Sequence, residues 1–237
     1  MLFRSPLGPL IDVNIGGNSI FGFQAGLTFD AFDLFGIAPR TGSRWTIDTD
    51  YLSKRGPALG TKLDYKGKDL FDIPSEYIGQ FRAYGIHDDG IDILGGGRGE
   101  NDDHPVWRGR LLWRQDWWHL PGDYSLQTEF AVLSDKNFLE QFFKKEFDTG
   151  LNQETVAYLK RQRDNWAWTA LVEPRLRTWV TETEWLPRAD AWLLGQSLLS
   201  HWLTYNAHVD VGYAQLRPTN EPPPPVEIGR ASCRERV

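Results

Sequence analysis

Cysteine is nearly absent from this 237-residue chain: Cys233, close to the C-terminal end, is the only one. An internal disulfide is therefore excluded, and no second thiolate exists to share a metal or a redox couple. Long apolar runs are missing as well. No stretch of 18 apolar residues occurs and mean hydropathy is −0.46, which excludes a spanning helix. There is no basic excess: 32 Asp and Glu against 26 Lys and Arg leave a net charge of −6, the wrong sign for a nucleic-acid binder.

Catalytic signatures are lacking too. The histidines His87, His104, His119, His201 and His208 include no two at a metal-ligand spacing on one element, so no metal site is read from them. A Gly-x-Ser-x-Gly elbow is also missing. Glu182 and Glu184 fall on one strand face about 7 Å apart, a spacing a glycosidase could use. Acidic pairs two residues apart are, however, an ordinary product of strand alternation. The chain does not read as an enzyme, and nothing in it asks for a cofactor.

Both ends look foreign. Residues 228–237 back-translate, codon by codon, to a common sequencing adapter, and residues 2–5 to the end of the complementary adapter. Segments 1–5 and 228–237 are therefore expected to be adapter read-through, with 6–226 as the genuine chain. Cys233 then leaves the argument, and the loss of four arginines and one glutamate moves the charge from −6 to −9. The lack of a signal peptide carries no information in such a fragment.

What the chain does have is aromatics: 14% of residues, with 11 tryptophans, in a sequence that is polar on average. That combination suits strands with one apolar face. From Ile20, Phe21, Phe23, Ala25, Leu27 and Phe29 oppose Gly22, Gln24, Gly26, Thr28 and Asp30. Trp45, Ile47, Thr49 and Tyr51 lead across Lys54-Arg55-Gly56-Pro57 to Leu59, Thr61, Leu63 and Tyr65, a hairpin pattern. Phe81, Ala83 and Gly85 mark a weaker strand, and Trp107, Leu111 and Trp113 oppose Arg108, Arg110 and Arg114. Strands at 126–132, 154–161, 165–173, 179–185 and 205–214 complete an antiparallel meander of about eight to ten strands over 20–217. Turns are expected at Pro121-Gly122-Asp123, at Pro187-Arg188-Ala189-Asp190 and at the proline run 222–225.

Two segments interrupt the rhythm. Residues 88–105 hold clustered Asp and Asn with Gly95-Gly96-Gly97, oxygens that would suit calcium. The EF-hand spacing is absent, so a solvated surface loop is expected. One short helix is expected near 137–147, opened by an Asn137–Glu140 capping box, with Phe138, Leu139, Phe142, Phe143 and Phe147 on one side. At roughly three turns it needs a tertiary partner, which favours packing on the sheet over lying on a membrane surface.

Such strands build either a transmembrane barrel, apolar side to lipid, or a soluble sandwich, apolar side to the core. Tyr51, Tyr65, Trp185 and Tyr213 sit at strand ends, where aromatic girdles would lie. Strands of about nine residues exceed the five or six usual in soluble sheets. The expected fold is thus all-β, a partial transmembrane barrel of long strands. Arg108, Arg110 and Arg114 should then look into the lumen, since each would cost roughly 2–4 kcal/mol at mid-membrane on the lipid side.

The order of Ser134-Asp135-Lys136-Asn137-Phe138-Leu139-Glu140, then strands, then Glu184-Trp185-Leu186-Pro187-Arg188 resembles the lipopolysaccharide-assembly outer-membrane proteins, the LptD/OstA family. The resemblance covers 20–217 and implies a cell outer-membrane location in a Gram-negative envelope. It further implies a periplasmic jelly roll before the barrel, and lipopolysaccharide passing to the outer leaflet through a lateral opening between the first and last strands. Outer-membrane lipids, a lumenal lipoprotein plug and periplasmic bridge proteins are the partners it implies. The chain would hold the early barrel strands, with 20–30 as the first and Gly22 and Gly26 as weak points of a lateral gate. Cysteines known in some members are missing here, which leaves disulfide switching without a basis. The alternative function is a soluble or surface-exposed carbohydrate-binding β-sandwich, which would also explain the tryptophans.

Overall fold

The computed structural model describes residues 8–150, 153–198 and 202–220; the adapter-like ends, Cys233 and the proline run 222–225 lie outside the described residues. Alternation produces an all-β chain. Its strands are β1 (Leu10–Asn18), β2 (Gly22–Asp30), β3 (Arg44–Leu52), β4 (Gly56–Lys68), β5 (Glu76–His87), β6 (Asp92–Leu94) and β7 (Gly99–Asn101). They continue as β8 (Trp107–Leu120), β9 (Tyr124–Leu133), β10 (Val156–Arg163), β11 (Trp166–Glu173), β12 (Glu182–Leu198) and β13 (Leu203–Arg217). Strands β6 and β7 form a small hairpin of their own. The other eleven make one antiparallel meander in chain order, with β1 and β13 as unclosed edges.

The expected strand count rises to eleven because β1 precedes the strand foreseen as first. The segment 20–30 is therefore not an edge: β2 pairs with β1 through Val13↔Leu27 and with β3 through Leu27↔Thr49. Ile11, Val13 and Ile15 alternate with Asp12 and Asn14 as a strand requires, but Gly16-Gly17 interrupts the signal. Asn18 closes the turn between them, its Oδ1 accepting from the amides of Ile20 at 3.0 Å and Phe21 at 2.7 Å.

The turn expected at Pro187–Asp190 is instead the inside of β12. Its register against β13 shifts between Trp185 and Arg188, and this bulge carries the proline without ending the strand. The strand expected from Trp179 starts only at Glu182.

Among the described residues three short α-helices join the sheet: α1 (Ala31–Phe35), α2 (Phe138–Phe142) and α3 (Lys144–Asp148). The single helix expected near 137–147 is broken at Phe143, whose φ of −129° and ψ of 46° leave the helical region. The predicted capping box does not form either. Asn137 makes no side-chain cap, and Glu140 reaches away to the Gly95 amide at 2.8 Å and to Arg98. Packing on the sheet holds as expected, with Phe138 and Leu139 joining Leu52, Ala58 and Ile86 in an apolar core cluster.

Register sorts the sheet into two unlike faces. One carries Phe23, Leu27, Ile47, Leu59, Leu63, Phe81, Leu111, Trp113, Phe130, Val132, Val209 and Val211. The other carries Asp48, Asp50, Lys62, Arg82, Arg108, Arg110, Arg114, Glu129 and Asp190. Helices α2 and α3 lie against the charged face, and the apolar face is open: Leu59 is 60% exposed whereas Ile86, under the helix, is 0% exposed.

Ile86→Ala should therefore lower unfolding free energy by about 2–5 kcal/mol, and Leu59→Ala by no more than about 0.5 kcal/mol. Urea titration of the two variants in detergent micelles checks this. Equal losses would mean that the helix-covered face is not the core.

Candidate functional site: the charged face

Arg108 begins on the second residue of β8, on the face opposite Trp107. Its guanidinium is surrounded by acids. Nη1 donates to Asp88 at 2.8 Å and to Asp92 at 2.7 Å, Nη2 to Asp92 at 3.0 Å and Asp135 at 2.8 Å, and Nε to Asp135 at 2.9 Å. Arg55, from the β3–β4 turn, shares the same acids, donating to Asp88 at 3.1 Å and Asp92 at 3.0 Å. The side chains of Arg55, Arg108, Asp88 and Asp92 are all fully buried. Phe142 lies beside both guanidiniums, 5.6 Å from Arg55 Cζ and 5.2 Å from Arg108 Cζ, near enough for cation–π attraction.

Two cations and three carboxylates leave one negative charge in excess. Asp135 disperses it: besides Arg108 it accepts from the Ser134 hydroxyl at 2.7 Å and the Asn137 amide at 3.0 Å. Burying ions is costly unless partners and hydrogen bonds replace water, and here nearly every lone pair is used. The cluster ties four segments at one end of the strands: the β3–β4 turn, the β5–β8 connection, β8 itself and the approach to α2.

Further along β8, Arg110 pairs with Glu146 of α3, Nη2 to Oε1 at 3.0 Å, and its Cζ stacks 3.5 Å from the Phe143 ring. That contact uses the break between α2 and α3. Arg114 binds Glu129 on β9 through two bonds of 2.7 and 3.1 Å. Between sheet and helices lies a polar cavity of about 280 Å³ lined by Gly26, Asp48, Asp50, Arg82, Tyr84 and Arg110, among others.

All three arginines foreseen as site residues thus share one face, each already matched by carboxylates. Gly26 lines the same cavity as Arg110, with the Asp50 carboxylate close by: an added Cβ would lie 2.6 Å from Asp50 Oδ1. Gly22 lies at the β1–β2 turn with φ of +69°, a conformation that favours glycine. The geometry of both glycines follows from local backbone and packing needs, and β2 is an inner strand rather than a seam.

Sequence reasoning missed Arg55, Asp88, Asp92 and Asp135. The loop 88–105, expected to be solvated, is pinned at its start, since Asp88 and Asp92 are 1% and 0% exposed. A surplus of acids in that loop facing a row of arginines on the next strand was the available signal. Asp88, Asp92 and His104 approach closely enough to hold a metal ion. Both carboxylates are committed to two guanidiniums, and His104 Nε2 faces the Gly90 carbonyl at 2.9 Å. A divalent ion would be repelled by Arg55 and Arg108, so the donor set does not suit one. Glu182 and Glu184 are likewise engaged, with Arg177 and with Arg217 (2.8 Å) respectively.

No protein-family model matches the chain, and no curated protein is significantly similar to it.

Arg108→Met, which strands buried carboxylates, should cost about 3–5 kcal/mol. Arg114→Met, at a partly exposed pair, should cost about 1 kcal/mol or less. Urea titrations of both variants test the ranking, and a reversed order would remove the cluster from its anchoring place.

Proposed function

We propose that this chain is part of an outer-membrane β-barrel that inserts lipopolysaccharide into the outer leaflet through a lateral opening. The observation that carries the membrane half of this reading is the inversion of burial. Among the described residues sixteen buried side chains are polar or charged and only eight are apolar, while Leu59, Trp107, Phe130, Val209 and Val211 stand exposed. A sandwich buries its apolar face; here that face is the open one, which disfavours the carbohydrate-binding alternative. Lipid is the solvent such a face requires.

Dimensions agree. Trp107 and Trp117 bracket Leu111 and Trp113 on the apolar side of β8. Ten residues of strand run about 33 Å, which at a tilt near 40° covers roughly the 25 Å apolar height of an outer-membrane barrel. Between the described strands, the two longest connections, 88–106 and 134–155, lie at the cluster end beside the short turns 19–21 and 53–55; the other end has 31–43 and 69–75 with the short 121–123 and 164–165. Barrels of this type carry their longer loops on the extracellular side, and the two longest connections are what support reading the ion-cluster end as the outer one. The export half is supported by the Ser134–Glu140 motif, whose Asp135 and Phe138 form part of the anchored cluster and core.

With the full-length protein in phospholipid vesicles, a fluorophore on Leu111→Cys should be quenched by lipid-borne nitroxide and shielded from aqueous iodide. One on Asp50→Cys should show neither strong nitroxide quenching nor the same lipid depth. Iodide access at Leu111→Cys equal to that of the free dye would sink the membrane reading. For export, depletion of the full-length protein should reduce lipopolysaccharide reachable by a surface-modifying enzyme. Unchanged surface lipopolysaccharide on depletion would retire that half while leaving the barrel.

A further inference from the structure

At the strand ends remote from the ion cluster, the apolar face is hollowed. A groove of about 770 Å³ runs between the β2–β3 and β4–β5 connections and the sheet, lined by Phe32, Trp45, Tyr65, Phe71, Tyr77 and Trp117 among others. Its volume falls within the range of small-ligand sites. Three of its ring donors are satisfied internally: Trp45 Nε1 donates to Thr61 Oγ1 at 2.8 Å, Trp113 Nε1 to Tyr65 Oη at 2.9 Å, and Tyr65 Oη to Gln115 Oε1 at 2.6 Å. Along the sheet a ligand therefore meets a mostly apolar, aromatic wall. Phe71 is held at the rim with φ of +57° and is 78% exposed, a conformation uncommon for an aromatic residue.

One charge borders the groove. Among the described residues Arg40 is the only ionised side chain of its lining, and no carboxylate lines it. We infer that the groove is a phospholipid site, taking one acyl chain along the sheet with the phosphate of an anionic headgroup at Arg40. This rests on the membrane reading above, under which the groove end faces the periplasmic leaflet, where phospholipid is the available source of a phosphate joined to an acyl chain. An apolar trough with one cation at its mouth is complementary to such a molecule in both shape and charge.

The full-length protein, inserted in phosphatidylcholine vesicles containing one tenth phosphatidylglycerol, tests the site by tryptophan quenching. Bromine is placed on the acyl chains of the phosphatidylglycerol, or in a parallel sample on an equal fraction of the phosphatidylcholine. Brominated phosphatidylglycerol should quench at least twofold more, and Arg40→Gln should remove the difference while retaining ordinary quenching. Equal quenching by both lipids in the unaltered chain means ordinary lipid contact only and overturns the site. A preference that persists in Arg40→Gln overturns it as well. Quenching by neither lipid means that the full-length protein does not insert, which overturns the membrane reading and the site together.

Discussion

A buried guanidinium can exist only where its charge is answered, and Arg108 sets that condition for much of this molecule. Its five donor bonds reach Asp88, Asp92 and Asp135, three residues delivered by two different connections. Neither connection could drift without leaving desolvated charge behind, at a cost of several kcal/mol. Arg55 extends the constraint to a third connection, 33 residues from Asp88 and 37 from Asp92 along the chain. A meander otherwise holds together only neighbour by neighbour, so these ties are what fasten distant strands and fix α2 over the sheet.

The placement of α2 in turn supplies the small apolar core. Phe138 enters among Leu52, Ala58 and Ile86 because Asp135, three residues earlier, is held by Arg108. The break at Phe143 then lets its ring cover Arg110, while Glu146 completes the pair. Apolar packing and ion pairing here are one arrangement: the aromatic rings cover the guanidiniums, and the ions orient the segment that bears the rings. The opposite face, with its exposed aliphatics and aromatics, has no comparable internal cover.

Much of this was legible in the sequence because alternation is a local property. The β3–β4 hairpin around Lys54–Pro57, the opposition of Arg108, Arg110 and Arg114 to Trp107, Leu111 and Trp113, and a helix of phenylalanines packed on the sheet could all be read off. What escaped depended on long-range partners. Asp88 and Asp92 sit in a glycine-rich acidic stretch that looks solvated until Arg55 and Arg108 arrive from elsewhere. Glu140 has the spacing of a cap, but the Gly95 amide and Arg98 compete for it and win. Pro187 looks like a turn because local chemistry cannot reveal a bulge that the pairing of β12 with β13 absorbs. The apolar groove was invisible for the same reason, being assembled from two connections and five strands.

The edges of the sheet carry a final consequence. Along β13, a strand of 15 residues, β12 satisfies only one side, so every second amide and carbonyl points outward with no neighbouring strand. The nine residues of β1 present the same demand at the opposite border. In water such groups can be hydrated, but in hydrocarbon each unmet one costs several kcal/mol. Hydrogen-bond accounting therefore makes the two borders complementary obligations: an eleven-stranded open sheet can rest within a bilayer only after further strands have met both of them.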